Sequence, residues 1–215
     1  MSKNLINNKK LAVIGCSGLV GSSILRCALE KGYEVNGTMR NIEDSTKIKY
    51  LKKLKNFEKL NLFKAEMSNE NDFNFCLQDI STLFIACLVP TYKGFDGTLA
   101  KELDDERGYN EIINPTVNGC INILKSAKKL DVKNVVICSS TSSTNPIPPV
   151  PIKNEIDHWS DEIEQCKSKK YTSATKTIME KAAIKFCNDN NIRLSIILPT
   201  GLYGDAVLPH HMKHN

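Results

Sequence analysis

Apolar residues fall into two kinds of segment that alternate along the chain. Short runs bounded by turn residues have the length and make-up of buried strands: Leu11 to Ile14, Glu34 to Met39, Leu60 to Ala65, Thr82 to Ala86, Val135 to Cys138 and Leu194 to Leu198. Between them lie longer stretches with helical spacing, at Leu19 to Lys31, Ser45 to Leu54, Ile112 to Leu130 and Thr175 to Asn190. The short runs lack a polar alternate, as expected of strands covered on both faces. Strand and helix in alternation predict an α/β protein: a doubly wound parallel sheet with helices on both faces. The stretch from Ser139 to Lys170 holds Pro146, Pro148, Pro149 and Pro151, so it is expected as a long loop. A loop directly after a buried strand is where such proteins place function.

Composition narrows the class. With 215 residues, 41% hydrophobic and 25% charged, the chain buries a core without covalent staples, as one large domain or one domain with part of a second. Disorder, collagen and coiled coil are excluded. No apolar run approaches the ~18 residues of a membrane span, and Met1 to Lys10 contains no export signal, so a cytoplasmic location is expected. The net charge of +5 comes from 29 basic and 24 acidic residues along the chain. The lysine clusters at 47–59 and 167–170 read as solvated helix faces and not as a nucleic-acid surface. The eight cysteines form no C-x-x-C pair and read as small buried hydrophobes in a reducing compartment. No metal site is expected. His210, His211 and His214 lack Asp or Cys support and read as part of a solvated tail.

Candidate chemistry begins just after the first strand, at Gly15-Cys16-Ser17-Gly18-Leu19-Val20-Gly21. The first glycine permits a tight turn, the second lets backbone approach a pyrophosphate, and the third allows a helix to pack closely on the strand. The helix N-terminus then offers free N–H groups to phosphate. An apolar strand before the glycines and a helix after them predict a dinucleotide site formed by Gly15, Ser17, Gly18, Leu19, Val20 and Gly21. The second strand ends in Gly37-Thr38-Met39-Arg40-Asn41, with no carboxylate until Glu43. Arg40 suits a 2′-phosphate, and Lys47 adds a point charge, so NADP(H) is the expected cofactor.

These residues, with several later stretches, resemble the extended short-chain dehydrogenase/reductases, nearest the dihydroflavonol reductase and cinnamoyl-CoA reductase branch. The later stretches are Asn114 to Gly119, His158 to Asp161, Lys176 to Ala183 and Leu198 to Gly204. The resemblance implies a Rossmann-type domain and NADP-dependent reduction of a small ketone or aldehyde. It puts Glu66 and Met67 near the adenine end, Ala86 and Cys87 beside the cofactor, and Pro199 in the nicotinamide pocket. It assigns Ser140 to the carbonyl oxygen and Lys176 to the ribose hydroxyls. In that family a tyrosine four residues before the lysine donates the proton, its pKa lowered by the lysine's charge.

Here the pattern departs. Thr172 stands four residues before Lys176, and Tyr171 stands five before it. On a regular helix a four-residue offset leaves side chains about 40° apart, and a five-residue offset about 140°. Three readings stay open: Tyr171 reaches the site through a later helix start or a one-residue bulge, Thr172 acts with a water, or cofactor binding persists without catalysis. The last reading makes the protein a sensor or a partner subunit. The resembled family also continues beyond the P-x-x-x-x-G stretch. The expected organisation is therefore a cofactor domain over 1–205, and at 206–215 the truncated start of a substrate lobe or a disordered tail. That leaves open a homo-oligomer or a partner that completes the pocket.

Overall fold

The computed structural model describes residues 10–213; Met1 to Lys9, His214 and Asn215 lie outside the described residues. Six strands form one parallel sheet: β1 (Lys10–Ile14), β2 (Glu34–Met39), β3 (Leu60–Lys64), β4 (Thr82–Ile85), β5 (Asn134–Cys138) and β6 (Arg193–Ile197). Their order across the sheet is β3-β2-β1-β4-β5-β6, the doubly wound arrangement expected from the alternation. Its topological switch point falls between β1 and β4, where Ile14 pairs with Ile85. Such a crevice at the carboxyl ends of the strands is where open α/β sheets bind ligands.

Side-chain alternation along β1 divides the core in two. Ala12 and Ile14 join Leu83, Ile85, Val135 and Ile137 on one face. There α4 (Asn114–Lys129) and α6 (Tyr171–Asp189) cover them through Ile123, Leu124, Met179 and Ala183. Leu11 and Val13 face the other way, onto Leu25 and Leu29 of α1 (Leu19–Glu30) and Leu51 of α2 (Ser45–Leu51). Both faces of the strand are thus dry, which explains the missing polar alternate. Polar residues buried in β2 have partners, as they must. Asn36 donates to the Cys76 carbonyl at 2.8 Å, and the Thr38 hydroxyl accepts from the Gly15 N–H at 3.1 Å.

The long loop contains more structure than its prolines suggest. Asp161 caps a short helix, α5 (Glu162–Lys167), accepting from the N–H groups of Ile163 at 2.8 Å and Glu164 at 3.1 Å. The cysteine expectation holds for Cys16, Cys76, Cys120 and Cys187, which are buried, but Cys27 is exposed on α1. The stretch from 206, expected as the truncated start of a substrate lobe or a disordered tail, folds back onto the core up to Lys213. Leu208 is fully buried and Val207 packs beside it, because the apolar surface near β1 gives them neighbours.

A third cluster sits apart from the sheet. A single turn, α3 (Asp105–Arg107), runs into a π-helical turn at Gly108–Ile113, and this segment closes over the start of α6. Tyr171 is its centre, 1% exposed among Ala100, Leu103, Ile112 and Ile113. Its hydroxyl donates to Asp105 Oδ1 at 2.8 Å. A Cβ on Gly108 would overlap the tyrosine ring, so the π-turn passes only because that position has no side chain. Tyr171→Phe is expected to lower stability by about 1 kcal/mol through loss of the Asp105 hydrogen bond. Urea denaturation monitored by circular dichroism measures this, and an unchanged midpoint would refute the contact.

Candidate functional site

The turn from β1 into α1 is closed by backbone. Gly15 adopts φ +82°, and a Cβ there would stand 2.7 Å from that of Cys87. The Gly18 N–H donates to the Gly15 carbonyl at 3.0 Å. A Cβ on Gly21 would collide with that same carbonyl oxygen, so the first turn of α1 lies directly on the loop. Gly18 caps α1 without a side-chain hydrogen bond, which leaves the helix's first N–H groups open to an anion.

A cleft of about 880 Å³ opens over this turn, within the ~300–1,000 Å³ usual for small-molecule sites. Gly15, Ser17, Gly18, Leu19 and Val20 line its floor. Arg40 and Lys47 line it at the end of β2 and on α2, and Met67, Ala86 and Cys87 beyond β3 and β4. The Ala86 N–H bonds the Ile14 carbonyl at 3.0 Å, tying the two walls together at the switch point. Burial pushes the Cys87 thiol up to about 12, so it lines the cleft as an inert group. Gly21 lies behind the floor and serves packing. Glu66 is exposed, its N–H held by Asp72 at 2.9 Å, and it is not among the lining residues. A more open hollow at the amino ends of the strands, between Lys10, Glu34 and Lys59, has mixed charge and no backbone cradle.

Lys176 is 8% exposed, and its ammonium donates to the Leu88 carbonyl, one residue past the cleft wall at Cys87. An ammonium has three donors, so two remain for other acceptors. Burial pulls its pKa down, and the negative field of nearby groups, Glu180 among them, opposes that shift. Ser140 follows β5 as the cap of a 3-10 turn at Thr141–Ser143; its oxygen accepts from the Ser142 N–H at 3.2 Å, leaving its own proton free to donate. The Pro199 carbonyl accepts from the Thr141 N–H at 3.3 Å, which joins the stretch after β6 to the Ser140 turn.

Tyr171 requires a correction. The helix α6 begins at Tyr171 and runs without a bulge, so neither a later start nor an extra residue turns the phenol toward Lys176. Burial, with Asp105 second, pushes its pKa up to about 12, opposite to the shift that proton donation needs. Thr172 holds the position one turn before the lysine.

Three features escaped the sequence reading. Glu180, one turn beyond Lys176, is 2% exposed and accepts from the Ser139 hydroxyl. Burial raises its pKa. Its signal was a carboxylate at i+4 from a lysine on a helix with many buried positions. Thr38 anchors the loop through its hydroxyl, but a strand-end threonine gives no signal of that role. His210 and His211 line the cleft with Leu202, whereas composition placed them in a tail. Among the described residues no cluster of three or more His, Cys, Asp or Glu side chains could hold a metal, and no helix is long and apolar enough to cross a membrane.

Comparison with known proteins agrees with this geometry. The chain is 34% identical over 209 residues to a bifunctional dihydroflavonol 4-reductase/flavanone 4-reductase of Pyrus communis, covering 94% of this chain and 56% of that protein. The crystal structure of vestitone reductase from alfalfa (Medicago sativa) superimposes with a TM-score of 0.68 at 26% identity, covering 93% of this chain and 59% of that one. A yeast methylglyoxal/isovaleraldehyde reductase, solved with NADPH, shares the fold at a TM-score of 0.65 and 22% identity, covering 92% of this chain and 59% of that one. The chain thus spans little more than half the length of these relatives. Residues 11–215 match the NAD dependent epimerase/dehydratase family, and on this match the chain is a member of that family.

Proposed function

We propose that the chain binds NADP(H) in the cleft and forms the cofactor-binding part of a carbonyl reductase acting on a small ketone or aldehyde. The observation that carries this reading is continuity: one cleft runs from Arg40 and Lys47, across the glycine loop, to Ala86 and Cys87. The reductase relatives named above support the reaction class.

The loop amides and the open N-terminus of α1 hold the pyrophosphate. Arg40 binds the 2′-phosphate through paired charge-assisted bonds, with Lys47 adding charge. Met67 lines the adenine end, and Pro199 shapes the nicotinamide end. The bound nicotinamide supplies a hydride to the carbonyl carbon. Ser140 donates to the carbonyl oxygen and polarises it. Lys176 binds the ribose hydroxyls with the donors that Leu88 leaves free, and its charge stabilises the negative oxygen formed in the reaction. Thr172 occupies the position from which a phenol would protonate that oxygen, and an aliphatic hydroxyl is a poor acid there.

A second reading, a cofactor-binding sensor or partner subunit without turnover, is favoured by the engagement of the Tyr171 hydroxyl with Asp105. Both readings require the cofactor. Fluorescence titration is expected to show NADPH bound more tightly than NADH. Arg40→Ala should weaken NADPH by about 2 kcal/mol, roughly 30-fold in Kd, and leave NADH unchanged. No binding of either nucleotide would end both readings.

Turnover separates them. Thr172→Tyr places a phenol on the lysine's side of α6, and carbonyl-dependent NADPH oxidation should rise by ~10²-fold or more if the remaining groups are competent. A variant that binds NADPH normally and gains no turnover with any carbonyl of a broad panel would favour the sensor.

A further inference from the structure

We propose that His210 and His211 belong to the dinucleotide site and donate hydrogen bonds to phosphate oxygens of the bound cofactor. This rests on the cofactor reading above. Leu208 is fully buried in the cluster that contains Val13 and Cys16, the latter a residue of the glycine loop itself. A leucine locked there fixes the chain beside the loop. Pro209 follows and opens a 3-10 turn over Pro209–Lys213, in which the His211 N–H donates to the Leu208 carbonyl at 3.0 Å.

The turn carries both imidazoles to the wall of the cleft, which they share with Ser17 and Leu19. Their rings meet edge to face, 4.1 Å between centroids at 63°. Paired in this way the two rings restrict each other, so less side-chain freedom is lost when a ligand arrives. The cleft keeps its volume with the histidines in its wall, so they border the ligand space and do not fill it. A neutral imidazole presents one N–H donor and a cationic one presents two. A phosphate is the acceptor that the glycine-loop amides of the same cleft are placed to hold. The histidines therefore add side-chain donors to the cleft in which the loop amides supply main-chain ones.

The test is NADPH affinity, read by fluorescence titration without any substrate, for the unaltered chain, His210→Ala, His211→Ala and the double variant. His210 is exposed and His211 half-buried, so these substitutions leave the core intact; thermal unfolding of each variant checks this. The double variant is expected to bind NADPH at least tenfold more weakly at unchanged unfolding temperature. Leu208→Ala, which frees the turn from its anchor, should weaken binding in the same direction. If the unaltered chain binds and the double variant binds equally well or more tightly, the histidines are not part of the site and the proposal fails alone. If the unaltered chain does not bind NADPH, the cofactor reading has failed.

Discussion

The approach of backbone to backbone at the head of β1 is the constraint on which the rest depends. The α1 turn rests on the Gly15 carbonyl at Gly21, and Gly15 in turn rests on Cys87. Gly37 of β2 completes the stack, since a Cβ there would lie 2.8 Å from the Cys16 sulfur. Each contact replaces a side chain with main chain. The loop therefore stays thin, and its amides face the cleft and not a side-chain layer. The same contacts set the relative height of β1, β2 and β4, because Cys16 bonds the Thr38 carbonyl and Ala86 bonds that of Ile14. A methyl group at any of these glycines acts on both the floor and a wall of the cleft.

The second pole of the site is electrostatic. Lys176 and Glu180 lie one turn apart on α6, both nearly out of solvent. Burial disfavours each charge, and each partner offsets part of the other's penalty. Their remaining needs are met from outside the helix, by the Leu88 carbonyl for the lysine and by the Ser139 hydroxyl for the carboxylate. These partners flank the cleft wall on one side and Ser140 on the other. The buried pair thereby links α6 to both loops that the proposed chemistry uses.

The sheet was readable in the sequence because its strands are buried on both faces. A continuous apolar run such as Leu11 to Ile14 has few other places in a fold. The glycine loop was readable for a related reason, since φ +82° at Gly15 and close approach at Gly21 each exclude most residues. The first turn of α6 was not. Helical spacing predicts the helix only from Thr175, whereas it begins at Tyr171, because the third cluster supplies burial that local pattern cannot reveal. The stretch from 206 hides its packing in the same way. Ala206, Val207 and Leu208 make a run too short to mark a strand or a helix, and only the fold shows the site into which Leu208 fits.

The displaced tyrosine shows how one residue of register decides a site. Bringing Tyr171 round to the lysine's side would turn the start of α6 by about 100°. Its ring would leave the cluster of Leu103, Ile112 and Ile113, and emptying a buried aromatic site typically costs about 3–5 kcal/mol. Its hydroxyl would also lose Asp105. If the whole helix turned instead, Met179 and Ala183 would swing out of the core and Lys176 would leave Leu88. The helix cannot offer both the phenol and the lysine to one cleft. Packing along its length retains the lysine, while the phenol serves as the anchor for the segment that closes over the start of α6.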